Sequence, residues 1–218
     1  GSMMVETGDA DAMVSGITRN YRDVVRPALQ IVGLQKDMTR IAGMYILNTK
    51  RGPLFLADTT INLNPTAEDL AEITSNVAKM IRKFKVIPRV ALLSYSNFGS
   101  SIGEDSKKMS KAVRLIKEND PNLIVDGEVQ ANFALNNDLM NEQFSFSDLA
   151  NKKVNTLIFP NLSSGNIAYK LLQEMTEGDA IGPVIVGLKK SIHVLQLGSS
   201  VREIINMVKI AVVDAQNK

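Results

Sequence analysis

Short apolar runs alternate with amphipathic stretches along most of this chain, and that alternation restricts it to an α/β architecture. The clearest unit lies between Thr66 and Leu93. Leu70, Ile73, Val77, Met80, Ile81 and Phe84 recur at three and four residues, the spacing of one buried helix face. Thr66-Ala67-Glu68-Asp69 resembles a capping box, with Asp69 in the usual place of Glu or Gln. Pro88 stops the pattern, and Val90–Leu93 is an unbroken apolar run, as in a parallel strand buried on both faces. Further helices are predicted over 21–32, 105–117, 166–175 and 201–214. The last carries Val201, Ile204, Ile205, Val208 and Val212 on one side. Strands are expected at 44–47, 54–57, 123–125, 154–159, 184–186 and 193–197. The first two are joined across Asn48–Pro53, where Gly and Pro predict a β-hairpin. This order argues for a mostly parallel sheet, with ligands at the carboxyl ends of its strands.

The 218 residues fit one large domain or two small ones. At 44% hydrophobic residues, a core can form without staples, and the absence of Cys excludes disulfides and thiolate sites. That absence fits a reducing, cytoplasmic setting. No apolar run approaches the roughly 18 residues needed to span a bilayer, and no secretory leader is visible. Basic residues (25) and acidic residues (23) are interspersed, aromatics are only 5%, and the densest basic cluster, Lys79 to Lys85, falls on a polar helix side. Neither nucleic acid nor membrane is therefore an expected partner. Gly1-Ser2-Met3 looks like a tag remnant and is set aside from fold reasoning.

Three predicted strand ends are rich in small hydroxyl residues and glycine: Ser94–Ser101, Pro160–Asn166 and Gly198–Ser200. Each leads towards a helix, whose first N–H groups suit an anion, although a serine there is more often just an N-cap. Catalytic groupings are scarce. The single histidine, His193, lies in an apolar strand and reads as a packed residue. Asp126 and Glu128 flank Gly127, a pattern compatible with metal or acid–base work but more often with a turn anchored by hydrogen bonds. There is no P-loop, GxGxxG or GxSxG motif.

Several blocks, in order from residue 4 to residue 216, resemble phosphate acetyltransferases of the phosphate acetyl/butyryl transferase family. They include Gly8–Gly16, Arg26-Pro27-Ala28-Leu29-Gln30, Asn64–Ala71, Asp126–Gln130, Leu157–Leu162, Gly165–Lys170 and Ile181–Val184. The resemblance implies a three-layer αβα, two-lobed fold like that of isocitrate and isopropylmalate dehydrogenases, with the N-terminal part of the first lobe missing. Residues 4–36 and 188–218 would then belong to the first lobe and 37–187 to the second. Family enzymes move an acetyl group between CoA and phosphate in the cleft between lobes. Their last motif reads roughly D-L-S-R-G-C-S-x-x-D, with a phosphate-holding arginine and a basic aspartate. Here Gln196 stands in the serine position, Leu197 in the arginine position and Glu203 in the aspartate position. A leucine offers no paired hydrogen bonds to phosphate, and loss of one such donor typically costs roughly 10²–10³ in rate. No catalytic residue is therefore expected.

Thr18-Arg19-Asn20-Tyr21, together with Leu197-Gly198-Ser199-Ser200-Val201, looks like the C-terminal region of bacterial hybrid malic enzymes. That resemblance implies a non-catalytic regulatory and oligomerising region, responsive to acetyl-CoA or a related acyl-CoA. Its partner would be an N-terminal malic enzyme in the same chain, with NAD(P) and Mg or Mn bound there and neither cofactor nor metal here. The expected ligand contacts are Ser15, Arg19, Arg22, Ser164, Gly165, Asn166, Lys170, Gly198 and Ser199. A working acetyl- or butyryltransferase is the alternative.

Overall fold

The computed structural model describes residues 1–36, 38–175 and 180–217. Asp37 and Lys218, which bound segments of the two-lobe expectation, lie outside them. The fold is α/β, built on a mixed six-stranded sheet and a separate two-stranded one. In the larger sheet the order is β5 (Ile124–Val129), β4 (Arg89–Leu93), β6 (Thr156–Ile158), β3 (Gly52–Ala57), β2 (Ala42–Thr49) and β7 (Ala180–Val186). β3, β6, β4 and β5 run parallel, whereas β2 is antiparallel to both its neighbours. Only β2 runs against the other five strands, so the sheet is mostly parallel with one hairpin, as the sequence pattern suggested. The predicted hairpin forms, and more tightly than expected: Thr49 pairs with Gly52, leaving Lys50 and Arg51 as the turn.

Strand alternation distributes the core. Met44 and Ile46 of β2, with Val90 and Leu92 of β4, face α3 (Ala67–Lys83) and α4 (Glu104–Asn119). Tyr45 and Leu47, with Ala91 and Leu93, face α5 (Ala131–Leu135), α6 (Asn137–Gln143) and α7 (Leu162–Met175). Helices therefore cover both faces of the sheet, as its near-continuous apolar strands require. The Thr66 capping box is present, with Thr66 Oγ1 accepting from Asp69 N and Asp69 Oδ2 accepting from Thr66 N.

The smaller sheet pairs β1 (Ala12–Gly16) with β8 (Ser191–Leu195) in parallel. It is flanked by α1 (Ser2–Thr7), α2 (Tyr21–Ile31) and α8 (Val201–Gln216). Ser2 and Met3, set aside above, lie within α1, where Ser2 is buried. Two expectations change. α7 begins at Leu162, four residues before Asn166, so its glycine–serine segment is helical. On α8 the predicted apolar side is largely exposed at Val201, Ile205, Val208 and Val212, while Met207, Ala211 and Asp214 are buried. No helix among the described residues is long and apolar enough to cross a membrane.

Candidate functional site

The carboxyl ends of β1 and β8 open beside α7 and β2, and a cluster of tyrosines fills the junction. Tyr45 of β2 and Tyr169 of α7 stack with ring centroids 4.1 Å apart. The Lys170 ammonium lies 5.1 Å from the Tyr169 ring centroid. Burial pushes the Tyr169 hydroxyl pKa up, but hydrogen bonds with Gln196, Lys170 and Tyr45 outweigh it and hold the value below the ordinary tyrosine range. Tyr45 goes the other way, raised by burial, by Tyr169 and, more weakly, by Tyr21 and Glu203. Gln196 and Lys170, picked out in the sequence, thus meet at one phenol. Tyr169 itself was missed, because no local pattern distinguishes a stacking tyrosine from a core one.

Tyr21 connects this cluster to a neighbouring cleft of about 770 Å³ between α2 and the segment after β3. Arg22 and Arg26 project from α2 into its lining, beside apolar Val25, Leu29, Ile61 and Leu162. Both arginines are exposed, and neither forms an ion pair among the described residues. The Tyr21 hydroxyl is buried without a hydrogen-bond partner among them. Burial, with Asp58 adding to it, raises its pKa far above the ordinary value, so it remains a neutral donor. Arg26 was not singled out in the sequence; its place one turn after Arg22 on the same helix is the signal that could have found it.

The degenerate motif after β8 has a second occupation. Glu203 Oε2 accepts from Ser200 N at 2.6 Å, and Ser200 Oγ accepts from Glu203 N at 3.3 Å. This is a reciprocal capping box, legible in Ser200-Val201-Arg202-Glu203 though not identified there. Leu197, at the arginine position, is 65% exposed, and Ser199 N closes the turn onto Gln196 O at 3.2 Å. Gly198 adopts φ 81° in that turn.

These details gain their meaning from a family match. The model describing phosphate acetyl/butaryl transferases matches residues 1–212. The chain belongs to that family. It is 41% identical to the NADP-dependent malic enzyme of Haemophilus influenzae over its full length, spanning 29% of that enzyme. It is 37% identical to the phosphate acetyltransferase of Clostridium acetobutylicum, covering 99% of this chain and 66% of that protein. A phosphotransacetylase structure from Streptococcus pyogenes superposes with a TM-score of 0.95 at 36% identity, covering all of this chain and 67% of that one. The chain therefore spans less than a third of the malic enzyme.

Within this family member, other expected contacts are held by the protein itself. A Cβ on Gly165 would lie 2.2 Å from Asp58 O, so glycine lets α7 approach that turn. Asn166 Nδ2 donates to Thr59 O at 3.2 Å. Ser164 N donates to Asn161 Oδ1, and Ser164 Oγ donates to Asn161 O. Asp58, unremarked in the sequence, accepts from the backbone N–H groups of Gly43, Thr60, Ile61 and Asn62. Gly165 and Asn166 accordingly dock the helix, and Ser164 closes its first turn. Ser15 lies in β1 opposite Val194, and Arg19 is exposed just before α2.

The strand end after β4 is similarly self-contained. Ser96 Oγ donates to Glu128 Oε1 at 2.9 Å and accepts from Ser101 N at 3.0 Å. The cleft of about 640 Å³ at that edge is lined by Glu104 and Asp105, an unfavourable setting for an anion. Asp126 and Glu128 lie inside β5, not in a turn, and both carboxylates serve as anchors. Asp126 Oδ2 accepts from Ser147 Oγ and Asp148 N, and Glu128 Oε1 also accepts from Gly99 N. Among the described residues, no group of three His, Cys, Asp or Glu is placed to hold a metal.

Ser191, His193 and Asp214 superficially resemble a hydrolase triad, but their bonding excludes that chemistry. Ile185 N donates to His193 Nδ1 at 3.3 Å, which places the ring proton of the neutral form on Nε2. Nε2 faces both Ser191 Oγ at 3.3 Å and Asp214 Oδ2 at 3.4 Å, and Ser191 Oγ donates to Ala211 O. No ring nitrogen is left as a base towards a nucleophile, and all three residues are buried.

Proposed function

We propose that this chain is a non-catalytic, acyl-CoA-binding regulatory and oligomerising region of a malic enzyme. The observation that carries this reading is the capping box at Glu203: the carboxylate in the base position is bound to Ser200 N, next to an exposed leucine in the arginine position. The cap gives that carboxylate a structural role in starting α8, and Leu197 lacks the guanidinium whose paired bonds suit a phosphate. The 41% identity to a malic enzyme supports the assignment of the parent. The missing part would then oxidatively decarboxylate malate to pyruvate with NAD(P) and Mg or Mn, in the cytoplasm.

Acetyl-CoA or a related acyl-CoA is the effector. Its phosphates would meet Arg22 and Arg26, and the Tyr21 hydroxyl would donate to it, relieving a buried unpaired donor that costs about 1–3 kcal/mol. Lys170 stands at the adjoining tyrosine cluster. The two lobes implied by the family resemblance would supply the open and closed states whose different affinities make such binding regulatory. Exposed apolar rows on α7 (Ile167, Leu171, Met175) and α8 (Val201, Ile205, Val208) support self-association.

Calorimetric titration of acetyl-CoA, on this chain and on the intact parent, tests the reading. Saturable binding in both and inhibition of malate oxidation in the parent are expected. Neither binding nor inhibition in the parent would overturn it. The 0.95 TM-score to a phosphotransacetylase favours a second reading, a working acetyl- or butyryltransferase. Formation of acetyl phosphate from acetyl-CoA and phosphate would establish it.

A further inference from the structure

At the end of the six-stranded sheet where β3, β4 and β6 begin, the tip of the β2–β3 hairpin closes a cavity of about 450 Å³. Lys50, Arg51, Arg89 and Lys153 line it, and its lining contains no Asp or Glu. None of the four cations forms an ion pair among the described residues. This contrasts with Lys83, Lys108, Lys111 and Lys117, each paired with a carboxylate. Among the described residues, no carboxylate pairs with this cluster of charge.

Three of these side chains are nevertheless held in place. Arg51 Nη1 donates to Leu135 O at 3.0 Å, Lys153 Nζ donates to Arg51 O at 2.5 Å, and Arg89 Nε donates to Lys153 O. Each cation is thus tethered by a carbonyl, which fixes its position without neutralising it. The guanidinium groups retain further N–H donors in a planar fork suited to phosphate oxygens. Beneath them lie Leu54, Val154 and Leu172, an apolar floor that a bare inorganic ion would leave wet. The volume falls within the range of about 300–1,000 Å³ common to small-molecule sites.

We propose that this hairpin pocket binds a small organic phosphate, with its phosphate at Arg51, Arg89 and Lys153 and a flat or short apolar group on Leu54 and Val154. The site is separate from the α2 cleft and shares no lining residue with it. Its occupant would therefore not compete directly with an acyl-CoA for that cleft.

Phenyl phosphate is a suitable probe, followed by amide chemical shifts of the 15N-labelled chain. Saturable shifts confined to the amides of Arg51, Gly52, Leu54 and Asn155 are expected. Inorganic phosphate, which lacks the apolar group, and benzyl alcohol, which lacks the charge, should each bind at least about ten-fold more weakly. Arg51→Glu and Lys153→Glu should each weaken phenyl phosphate about ten-fold or more, the equivalent of one charge-assisted hydrogen bond. Both side chains are exposed, and unchanged circular dichroism would exclude a folding effect. Lys50→Glu, on the turn itself, is a further variant should either fail to fold. Absence of saturable shifts, shifts at α2 in place of the hairpin, equal binding of inorganic phosphate, or full affinity in the charge-reversal variants would each overturn the assignment.

Discussion

Lys83 Nζ lies 2.7 Å from Asp214 Oδ1, and this contact joins α3 of the larger sheet to α8 of the smaller one. Asp214 is 1% exposed and also faces the fully buried His193. Removing one member of a buried ion pair leaves the other desolvated and uncompensated, which typically costs about 3–5 kcal/mol. Asp214→Ala should therefore lower unfolding stability by about that amount in urea titrations. A loss under about 1 kcal/mol would mean that the pair does not hold the two sheets together.

A second expectation concerns the approach of α7 to the turn after β3. Gly165→Ala places a methyl 2.2 Å from Asp58 O, and that carbonyl belongs to a turn pinned by four backbone N–H bonds to the Asp58 carboxylate. Neither side can yield easily, so a loss of about 1–3 kcal/mol is expected. Gly198→Ala is the informative comparison. It meets nothing within 4 Å but has φ 81°, so its penalty is backbone strain of about 1–2 kcal/mol. Thermal denaturation of both variants separates steric from conformational cost; only the first should also disturb Tyr169 packing, read by near-ultraviolet circular dichroism.

Residues with local signals were legible in the sequence. The Thr66–Asp69 cap, the hairpin and the buried Val90–Leu93 strand follow from neighbours a few positions apart. Asp58 was not legible, because its partners are backbone amides apart from the Asn62 side chain, and no side-chain pattern marks them. The face of α8 was misjudged for a different reason. This helix is apolar over most of its circumference, and only the tertiary placement of β8 and α3 decides that Met207 and Ala211 are covered while Val208 is not. The site divides the same way: Arg22, Lys170 and Gln196 stood out individually, whereas the Tyr45–Tyr169 stack joining Lys170 and Gln196 is a long-range product of folding.

Alkaline pH should weaken the attachment of α4 to β5. Burial lowers the Lys117 pKa, but bonds and charges of Asp148 and Asp126 outweigh it, so the folded value lies above the ordinary 10.5. A raised folded pKa contributes stability that is present below the unfolded value and lost as pH rises through the folded one. The stability difference between the native protein and Lys117→Met should therefore narrow above pH 10.5. Lys117 is partly exposed, so the effect is a modest one, reduced by salt. A difference unchanged from about pH 8 to about pH 12 would contradict the linkage.

Glu203 offers a separation of structural from catalytic roles. Glu203→Ala should lower stability by about 1 kcal/mol through loss of its half of the cap. It should leave acetyl-CoA affinity within about two-fold, since Glu203 does not line the α2 cleft. Glu203→Gln, which keeps an acceptor for Ser200 N, should recover most of the stability. Loss of acetyl phosphate formation in Glu203→Gln, from a measurable native rate, would instead assign the carboxylate to chemistry.

The cleft between α2 and the turn after β3 makes the most direct demand on the regulatory reading. Arg22 and Arg26 line it without ion-pair partners among the described residues, and each could contribute a charge-assisted bond to a CoA phosphate, worth about 1.5–3 kcal/mol. Arg22→Ala and Arg26→Ala should each weaken acetyl-CoA by about ten-fold or more, and the loss should shrink as salt screens the native contact. Tyr21→Phe removes the unpaired hydroxyl. It should stabilise the free protein slightly, by relieving a buried donor, while weakening the ligand, because the bound state loses its bond. Opposite signs in thermal denaturation and in calorimetry would place that hydroxyl on the ligand; stabilisation with unchanged affinity would place the ligand elsewhere.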